Sequence, residues 1–154
     1  MKIQQLSQRD PAWSEHKMPP TNIVIGKMGC LTTVLSMISD LFGCYRNPAD
    51  FADNCVKYDA QGNVLWGTLK TCFKLEKRLV TLHENEIDKS LKDPNRAVAI
   101  QVEGRHWLWV IGKVPVIKRM NGQPVYKVID PWFGDRAYSN RYKTISGSAH
   151  MIKV

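Results

Sequence analysis

The chain has 154 residues and a mass of 17.6 kDa, the size of one ordinary domain. Its content of 44% hydrophobic and 23% charged residues is typical of globular proteins and excludes a disordered, collagenous or coiled-coil chain. The 22 Lys and Arg residues against 14 Asp and Glu give a formal charge of +8, which favours anionic surroundings such as nucleic acid, phospholipid or cell-wall polymer. We therefore expect a single domain over residues 1–154.

Neither a membrane span nor an export signal is predicted. No apolar run approaches the ~20 residues that a transmembrane helix needs. The first ten residues, Met1 to Asp10, are polar and contain no apolar stretch, so no signal peptide is expected. The sequence thus predicts a protein made in the cytoplasm that reaches any outside target through cell lysis or as part of a particle.

The cysteines give no sign of a metal site or a disulfide framework. They occupy four positions without a CxxC pair, which disfavours a zinc site of the usual spacing. Without an export signal, disulfides are not expected either. We predict no metal or other cofactor, and four thiols of which most are buried as small hydrophobic side chains, at Cys30, Cys44, Cys55 and Cys72.

Helices dominate the predicted N-terminal half. Residues 1–28 have the composition of a loop, interrupted by a short extended piece at Asn22–Ile25. The segment Cys30–Phe42 is predicted to be a helix that ends before Gly43, a residue suited to a left-handed cap. Its apolar residues recur at helical spacing along one face: Leu31, Val34, Leu35, Ile38, Leu41 and Phe42.

Three further helices are predicted before Pro94. Asn47-Pro48 is typical of a capped helix start and begins a short helix that runs through Cys55. A helix from Thr68 to about Arg78 would carry cations on one side, either as a solvated face or as a docking patch for an anionic polymer, at Lys70, Lys74, Lys77 and Arg78. A weak helix is predicted around Ile87–Leu91.

The C-terminal half has the pattern of an antiparallel sheet. Turns are predicted at Glu103-Gly104 and Asn121-Gly122, and one or two edge strands between Arg136 and Val154. The remaining predicted strands are Ala97–Val102, His106–Ile111, Val114–Lys118 and Val125–Ile129. Helices followed by an antiparallel sheet indicate a segregated α+β fold.

Cys30 has the setting of a reactive thiol. It opens the strongest predicted helix, where unpaired N–H groups and the helix dipole favour the thiolate. Gly29 removes a side chain where a substrate backbone would have to approach, which makes it a candidate substrate contact. The alternative is a buried cysteine that only packs.

His106 and Asp130 are the candidate partners of this thiol. His106 opens an apolar strand, and Asp130 ends the strand one hairpin later, so both side chains could meet at one end of the sheet. The alternatives are a packed or rim histidine and a turn-forming aspartate before Pro131. The other histidines lie in predicted loops or terminal segments: His16, His83 and His150.

The order Cys, His, Asp is that of papain-like thiol peptidases, and four segments of the chain support the likeness. Together they resemble the free-standing branch of the double-glycine, bacteriocin-processing cysteine peptidases, which is frequent in phages and bacteria. These segments are Leu6–Trp13, Ile25–Met37, Gly104–Val110 and Val128–Gly134. The resemblance covers nearly the whole chain from Leu6, although Leu31-Thr32-Thr33 departs from the motif that many relatives carry after the cysteine.

The resemblance implies a papain-like fold in which N-terminal helices pack on the C-terminal sheet. It gives Cys30 the role of nucleophile, His106 that of general base and acid, and Asp130 that of orienting the imidazole. Gln8 matches the glutamine whose amide joins the Cys30 backbone N–H in an oxyanion hole. Trp107 and Trp132 are candidates either for lining the cleft or for core and rim packing.

The sequence therefore favours a cysteine peptidase that acts by acyl transfer. Leader-peptide cleavage belongs to transporter-fused relatives, and no membrane span is predicted in this sequence. The expected substrate is therefore peptide in bacterial cell wall, cut by a phage lysin or virion-associated hydrolase. A non-catalytic peptide- or wall-binding module with the same fold is the alternative. Nucleic-acid binding is not expected, because no recognition-helix, zinc-finger or glycine–aromatic motif is present.

Overall fold

The computed structural model describes residues 3–114, 119–120 and 122–154. Its helices are α1 (Ile25–Met28), α2 (Cys30–Leu41), α3 (Pro48–Asn54) and α4 (Glu84–Leu91). Its strands are β1 (Lys57–Tyr58), β2 (Val64–Leu65), β3 (Phe73–Leu79), β4 (Arg96–Val102), β5 (His106–Lys113), β6 (Arg119–Met120), β7 (Gln123–Pro124), β8 (Tyr126–Asp130), β9 (Asp135–Tyr138) and β10 (Ile145–Lys153).

Six of the strands form one antiparallel sheet. Its order is β3–β10–β4–β5–β8–β9, and every neighbouring pair is antiparallel. The remaining strands form two small hairpins, β1 with β2 and β6 with β7. Helices packed with an antiparallel sheet confirm the predicted α+β class.

Both faces of this sheet are covered by apolar residues. Side chains alternate between the faces along each strand, so Ala99 and Trp109 join the cluster that contains the α2 residue Leu35. Val98 and Leu108 point the opposite way and join a second cluster with Ile87 of α4. Burying each large aliphatic side chain contributes roughly 1.5–3 kcal/mol, so these clusters hold the helices on the sheet.

Most of the local predictions are confirmed. Helix α2 begins at Cys30 as predicted and ends at Leu41, and Gly43 has the expected positive φ of 83°. The side chain of Asn47 caps α3 by accepting a hydrogen bond from the Asp50 N–H at 2.9 Å. The turn before His106 uses positive φ values at Glu103 and Gly104. Residues 115–118 of the predicted strand Val114–Lys118 and the predicted turn residue Asn121 lie outside the described residues.

The predicted helix from Thr68 to Arg78 is wrong. A 3₁₀ turn spans Trp66–Thr68, and the chain then forms β3 (Phe73–Leu79). Phe73 lies buried in the core of the sheet, and β3 pairs with β10, a strand some seventy residues later in the chain. The four predicted cations therefore do not share a helix face, because pairing with a distant strand overrides the local pattern.

The C-terminal segment also differs from its prediction. Strand β9 lies at the sheet edge as expected, but β10 lies inside the sheet between β3 and β4. This position buries His150 completely, although the sequence placed it in a terminal segment without a scaffold. Its ring bonds to Ser90 at 2.7 Å and Ser148 at 2.8 Å, and burial lowers its pKa to about 4, so His150 is a neutral core residue.

The prediction of four free thiols is wrong. Cys44, just beyond α2, forms a disulfide with Cys72, just before β3, over a Cα–Cα distance of 6.2 Å. Cys30 and Cys55 are free. The two bonded cysteines are 28 residues apart, and nothing in their local spacing indicates that the fold brings them together.

Reduction of this disulfide is expected to lower the free energy of unfolding by about 3–4 kcal/mol. The physical reason is that the bond restricts the unfolded chain between cysteines separated by 28 residues. Urea unfolding followed by tryptophan fluorescence, with and without dithiothreitol, measures the effect. The double variant Cys44→Ser/Cys72→Ser is the control and should not respond to dithiothreitol; equal midpoints for the oxidised and reduced wild type would contradict the prediction.

Candidate active site

A groove with a volume of about 1150 Å³ lies where the start of α2 meets the start of β5. It contains five of the seven predicted site residues: Gln8, Cys30, His106, Trp107 and Trp132. The other two, Gly29 and Asp130, are buried and are not among the residues that line it. Among the described residues, no group of three or more His, Cys, Asp or Glu side chains is arranged to hold a metal ion.

Cys30 is the first residue of α2 and is half-buried in this groove. As the first helical residue, it has a backbone N–H without an acceptor inside its own helix. The turn that follows is fixed by Thr33, whose backbone N–H and side-chain hydroxyl both donate to the Gly29 carbonyl, at 2.9 and 2.8 Å. The sulfur and an unpaired backbone donor therefore lie together at a rigid helix start.

Gly29 serves the packing of the two helices. It is buried outside the groove lining, between α1, which forms where the sequence predicted loop, and α2. A Cβ at this position would lie 2.5 Å from Cγ2 and 2.6 Å from the carbonyl oxygen of Ile25. The absence of a side chain is thus required by α1, and the predicted substrate contact has no support in the geometry.

Replacing Gly29 with alanine is expected to destabilise the protein by about 1–3 kcal/mol, because the new methyl group would overlap the backbone of Ile25. The same displacement should change the rate at which iodoacetamide alkylates Cys30. Urea unfolding and mass spectrometry of the labelled protein measure the two effects. Gly67→Ala is the matched control, because nothing lies within 4 Å of a Cβ built at Gly67; equal effects of both variants would rule out the explanation.

His106 is held by Asp130 and faces Cys30. Its Nε2 lies 2.9 Å from Oδ1 of Asp130, which leaves Nδ1 as the ring nitrogen for the thiol. Burial favours the neutral ring, but hydrogen bonds and charge interactions with Asp130 and Cys30 outweigh it and raise the pKa of His106 to about 9. The ring therefore lies between a fixed carboxylate and the Cys30 side chain.

Asp130 is completely buried at the end of β8, and its carboxylate accepts four hydrogen bonds. Oδ1 accepts from His106 and from the Trp132 N–H at 3.0 Å. Oδ2 accepts from Nη1 of Arg141 at 3.0 Å and from the Tyr142 hydroxyl at 2.6 Å. Burial alone would raise the pKa of Asp130, but these bonds hold it below its usual range. The carboxylate therefore stays charged and fixes the imidazole.

Arg141 and Tyr142 were not predicted as site residues. Arg141 ends a 3₁₀ turn over Ser139–Arg141 and binds Asp135 as well as Asp130, with distances to Asp135 of 3.1 and 3.0 Å. A buried carboxylate requires a cation or several donors, so the sequence could have indicated that Asp130 needs a partner. It contained no signal for which of the many cations would supply it.

Gln8 is buried next to the groove, with 1% of its surface exposed. Its backbone N–H donates to the Pro131 carbonyl at 2.7 Å, which ties the N-terminal segment to the turn after Asp130. Its Nε2 donates to the Gly26 carbonyl at 3.3 Å, and Oε1 has no hydrogen-bond partner among the described residues. The side chain is thus fixed at the groove, and the second Nε2 proton donates to none of the described residues.

The two predicted tryptophans line the groove in different ways. Trp107 is buried and packs edge-on against Trp66, with 6.2 Å between the ring centroids. Trp132 is 36% exposed, and the guanidinium of Arg9 lies 4.6 Å from its ring centroid. Trp107 is therefore both core and groove wall, whereas Trp132 forms part of the accessible rim.

Comparison with known proteins does not assign this chain to a family. The chain matches no protein-family model, and no curated protein sequence or solved structure matches it. The likeness to double-glycine peptidases therefore stays a prediction carried by the four motifs.

Proposed function

We propose that this protein is a cysteine peptidase of papain-like fold that hydrolyses peptide bonds with Cys30, His106 and Asp130. The observation that carries the proposal is the hydrogen bond of 2.9 Å between His106 and a fully buried Asp130, beside a cysteine at a helix start in the same groove. A nucleophile, a base and a group that orients the base are the three parts that acyl transfer by a thiol requires.

In the first step, the Cys30 thiolate attacks the carbonyl carbon of the substrate. A carbon–sulfur bond forms, and the electron pair of the carbonyl double bond moves to its oxygen. Nε2 of Gln8 and the backbone N–H of Cys30 are the donors proposed to bind this oxyanion. A single donor of this kind commonly contributes about 3 kcal/mol to the stability of the transition state.

His106 moves the protons of the reaction. Its imidazolium donates the Nδ1 proton to the leaving amine as the carbon–nitrogen bond breaks, which leaves a thioester on Cys30 and a neutral ring. The neutral ring then accepts a proton from water as the water oxygen attacks the thioester. Release of the carboxylic acid product restores the thiolate and the imidazolium, while Asp130 keeps the ring in one orientation throughout.

Peptide in bacterial cell wall is the proposed substrate, cut by a phage lysin or a virion-associated hydrolase. The support is the resemblance to free-standing peptidases together with the formal charge of +8. A cationic protein concentrates near anionic wall polymer, and salt weakens that attraction. Among the described residues, no helix is both long and apolar enough to cross a bilayer.

Mass spectrometry of purified cell wall and of a peptide library, each incubated with the protein, tests the proposal. Protein pretreated with iodoacetamide is the blank. We expect new wall products that are missing from the blank, and the masses of the two products of each cleavage should sum to the mass of the parent peptide plus one water. Cleavage of library peptides without wall products would assign a different substrate, and no cleavage of either material would favour a non-catalytic module.

A further inference from the structure

Arg78 is a groove residue that the proposed mechanism does not use. It lies on β3, and its guanidinium is held by backbone and side-chain acceptors. Nη1 donates to the carbonyls of Leu79 and Ser148, the latter at 3.3 Å, and Nη2 donates to Oε1 of Gln101 at 2.9 Å. The charged group is therefore fixed in one place.

Two neighbours complete this setting. The guanidinium carbon lies 4.8 Å from the ring centroid of Trp107, the residue directly after His106. A Cβ at position 147 would lie only 2.8 Å from Nη1, so Gly147 leaves the space that the guanidinium occupies. The cation is thus seated against the groove wall next to the proposed base.

The charge of Arg78 has no counter-ion in the part of the chain that the structure describes. Among the described residues, no carboxylate lies within ion-pair distance of it, whereas Arg141 is bound to Asp130 and Asp135. Burial lowers the pKa of Arg78, but a guanidinium stays protonated at any physiological pH. A half-buried, unpaired cation at the wall of a groove attracts an anionic group from a ligand.

The unused hydrogen-bond donors of Arg78 also favour an anionic ligand. A guanidinium has five N–H donors, and the described acceptors use three of them. The Nε–H and one Nη2 proton are left for a ligand. Arginine binds carboxylates through pairs of such donors, more strongly than it binds neutral acceptors.

We propose that Arg78 forms a carboxylate subsite, so that the preferred substrates are peptides with an anionic group close to the scissile bond. This inference rests on the proposed peptidase function. The carboxylate could belong to an Asp or Glu side chain or to the C-terminus of a short peptide, since both offer the same two oxygens to the guanidinium.

Competition between matched peptides tests the subsite. Two libraries that differ only in Asp and Glu against Asn and Gln are digested together, and mass spectrometry gives the ratio of kcat/KM values. We expect the wild type to favour the acidic library by ~10–100-fold. Arg78→Gln should bring this ratio close to one with little change for the neutral library, and Arg78→Lys, which keeps the charge but loses the planar fork, should lie between.

Arg105→Gln is the matched control, because Arg105 also lines the groove but its side chain is 82% exposed. It should leave the ratio within about twofold of the wild type. Digesting neutral peptides with free and with amidated C-termini separates the two carboxylate sources: a bound side chain gives only the preference for the acidic library, and a bound peptide C-terminus gives a preference for the free acid that Arg78→Gln removes. A preference that is unchanged in Arg78→Gln, or a wild type that prefers neither acidic side chains nor a free C-terminus, overturns the subsite.

A binding experiment separates failure of the subsite from failure of the peptidase. Immobilised Cys30→Ala protein is exposed to both libraries, and the retained peptides are identified by mass spectrometry. One outcome is that the wild type cuts nothing while acidic peptides are still enriched, and that Arg78→Gln abolishes this enrichment. This outcome would support the subsite and overturn the peptidase. Cleavage without acidic enrichment or preference would do the reverse, and the absence of both would overturn both.

Discussion

Replacing Cys30 with alanine is expected to lower peptide hydrolysis by ~10⁴-fold or more, because the only thiol among the described groove residues is then gone. The folded protein should remain, since a half-buried side chain loses a single sulfur atom and such changes usually cost less than about 1 kcal/mol. Mass spectrometry of the products and urea unfolding of the variant measure the two quantities.

Cys55→Ala is the matched control, since Cys55 is the other free cysteine of the chain. It is buried in the core, where burial raises the pKa of its thiol, and its loss should leave activity within about twofold. In the wild type, iodoacetamide should accordingly label Cys30 before Cys55. Hydrolysis that survives in Cys30→Ala would show that the nucleophile is assigned to the wrong residue.

The local parts of the site could be predicted because short stretches of sequence determine them. The start of α2 at Cys30 follows from the helical spacing of its apolar residues. The meeting of His106 with Asp130 follows from strand order, since β5 and β8 are antiparallel neighbours and Trp109 pairs with Ile129. The start of one strand and the end of the next then lie at the same edge of the sheet.

The long-range parts could not be predicted from local patterns. Strand β3 exists because it pairs with β10, and that pairing carries Arg78 from the expected solvent face of a helix into the groove. Tyr142 reaches Asp130 from twelve residues further along the chain. Cys44, just beyond α2, and Cys72, just before β3, meet for the same reason, since each contact depends on where the sheet places distant segments.

Replacing Asp130 with asparagine is expected to lower turnover by ~10²–10⁴-fold and the free energy of unfolding by about 3–5 kcal/mol. The amide keeps one oxygen for His106, but its NH₂ group would face the donors of Arg141 and Tyr142, and the buried anion that Arg141 binds would be gone. Steady-state cleavage of library peptides and urea unfolding measure these losses.

Asp135→Asn is the control that separates the loss of His106 orientation from the loss of an ion pair to Arg141. Asp135 also binds Arg141, with distances of 3.1 and 3.0 Å, but its side chain is 44% exposed. Exposed ion pairs contribute little, so this variant should change stability by less than about 1 kcal/mol and turnover by less than about threefold. Equal losses in both variants would mean that Arg141, and not the orientation of His106, accounts for the effect.

The pH dependence of stability and turnover is a second test of the interaction between His106 and Asp130. The pKa of His106 is raised to about 9 from its usual 6.5, so the protonated ring stabilises the fold fully below about pH 6.5, and this contribution is lost as the pH rises through 9. Because the leaving amine needs the imidazolium proton, turnover should fall about tenfold per pH unit above 9. In Asp130→Asn the charged acceptor that raises this pKa is missing, so the alkaline limb should move to lower pH. A limb at the same pH in both proteins would mean that another group sets it.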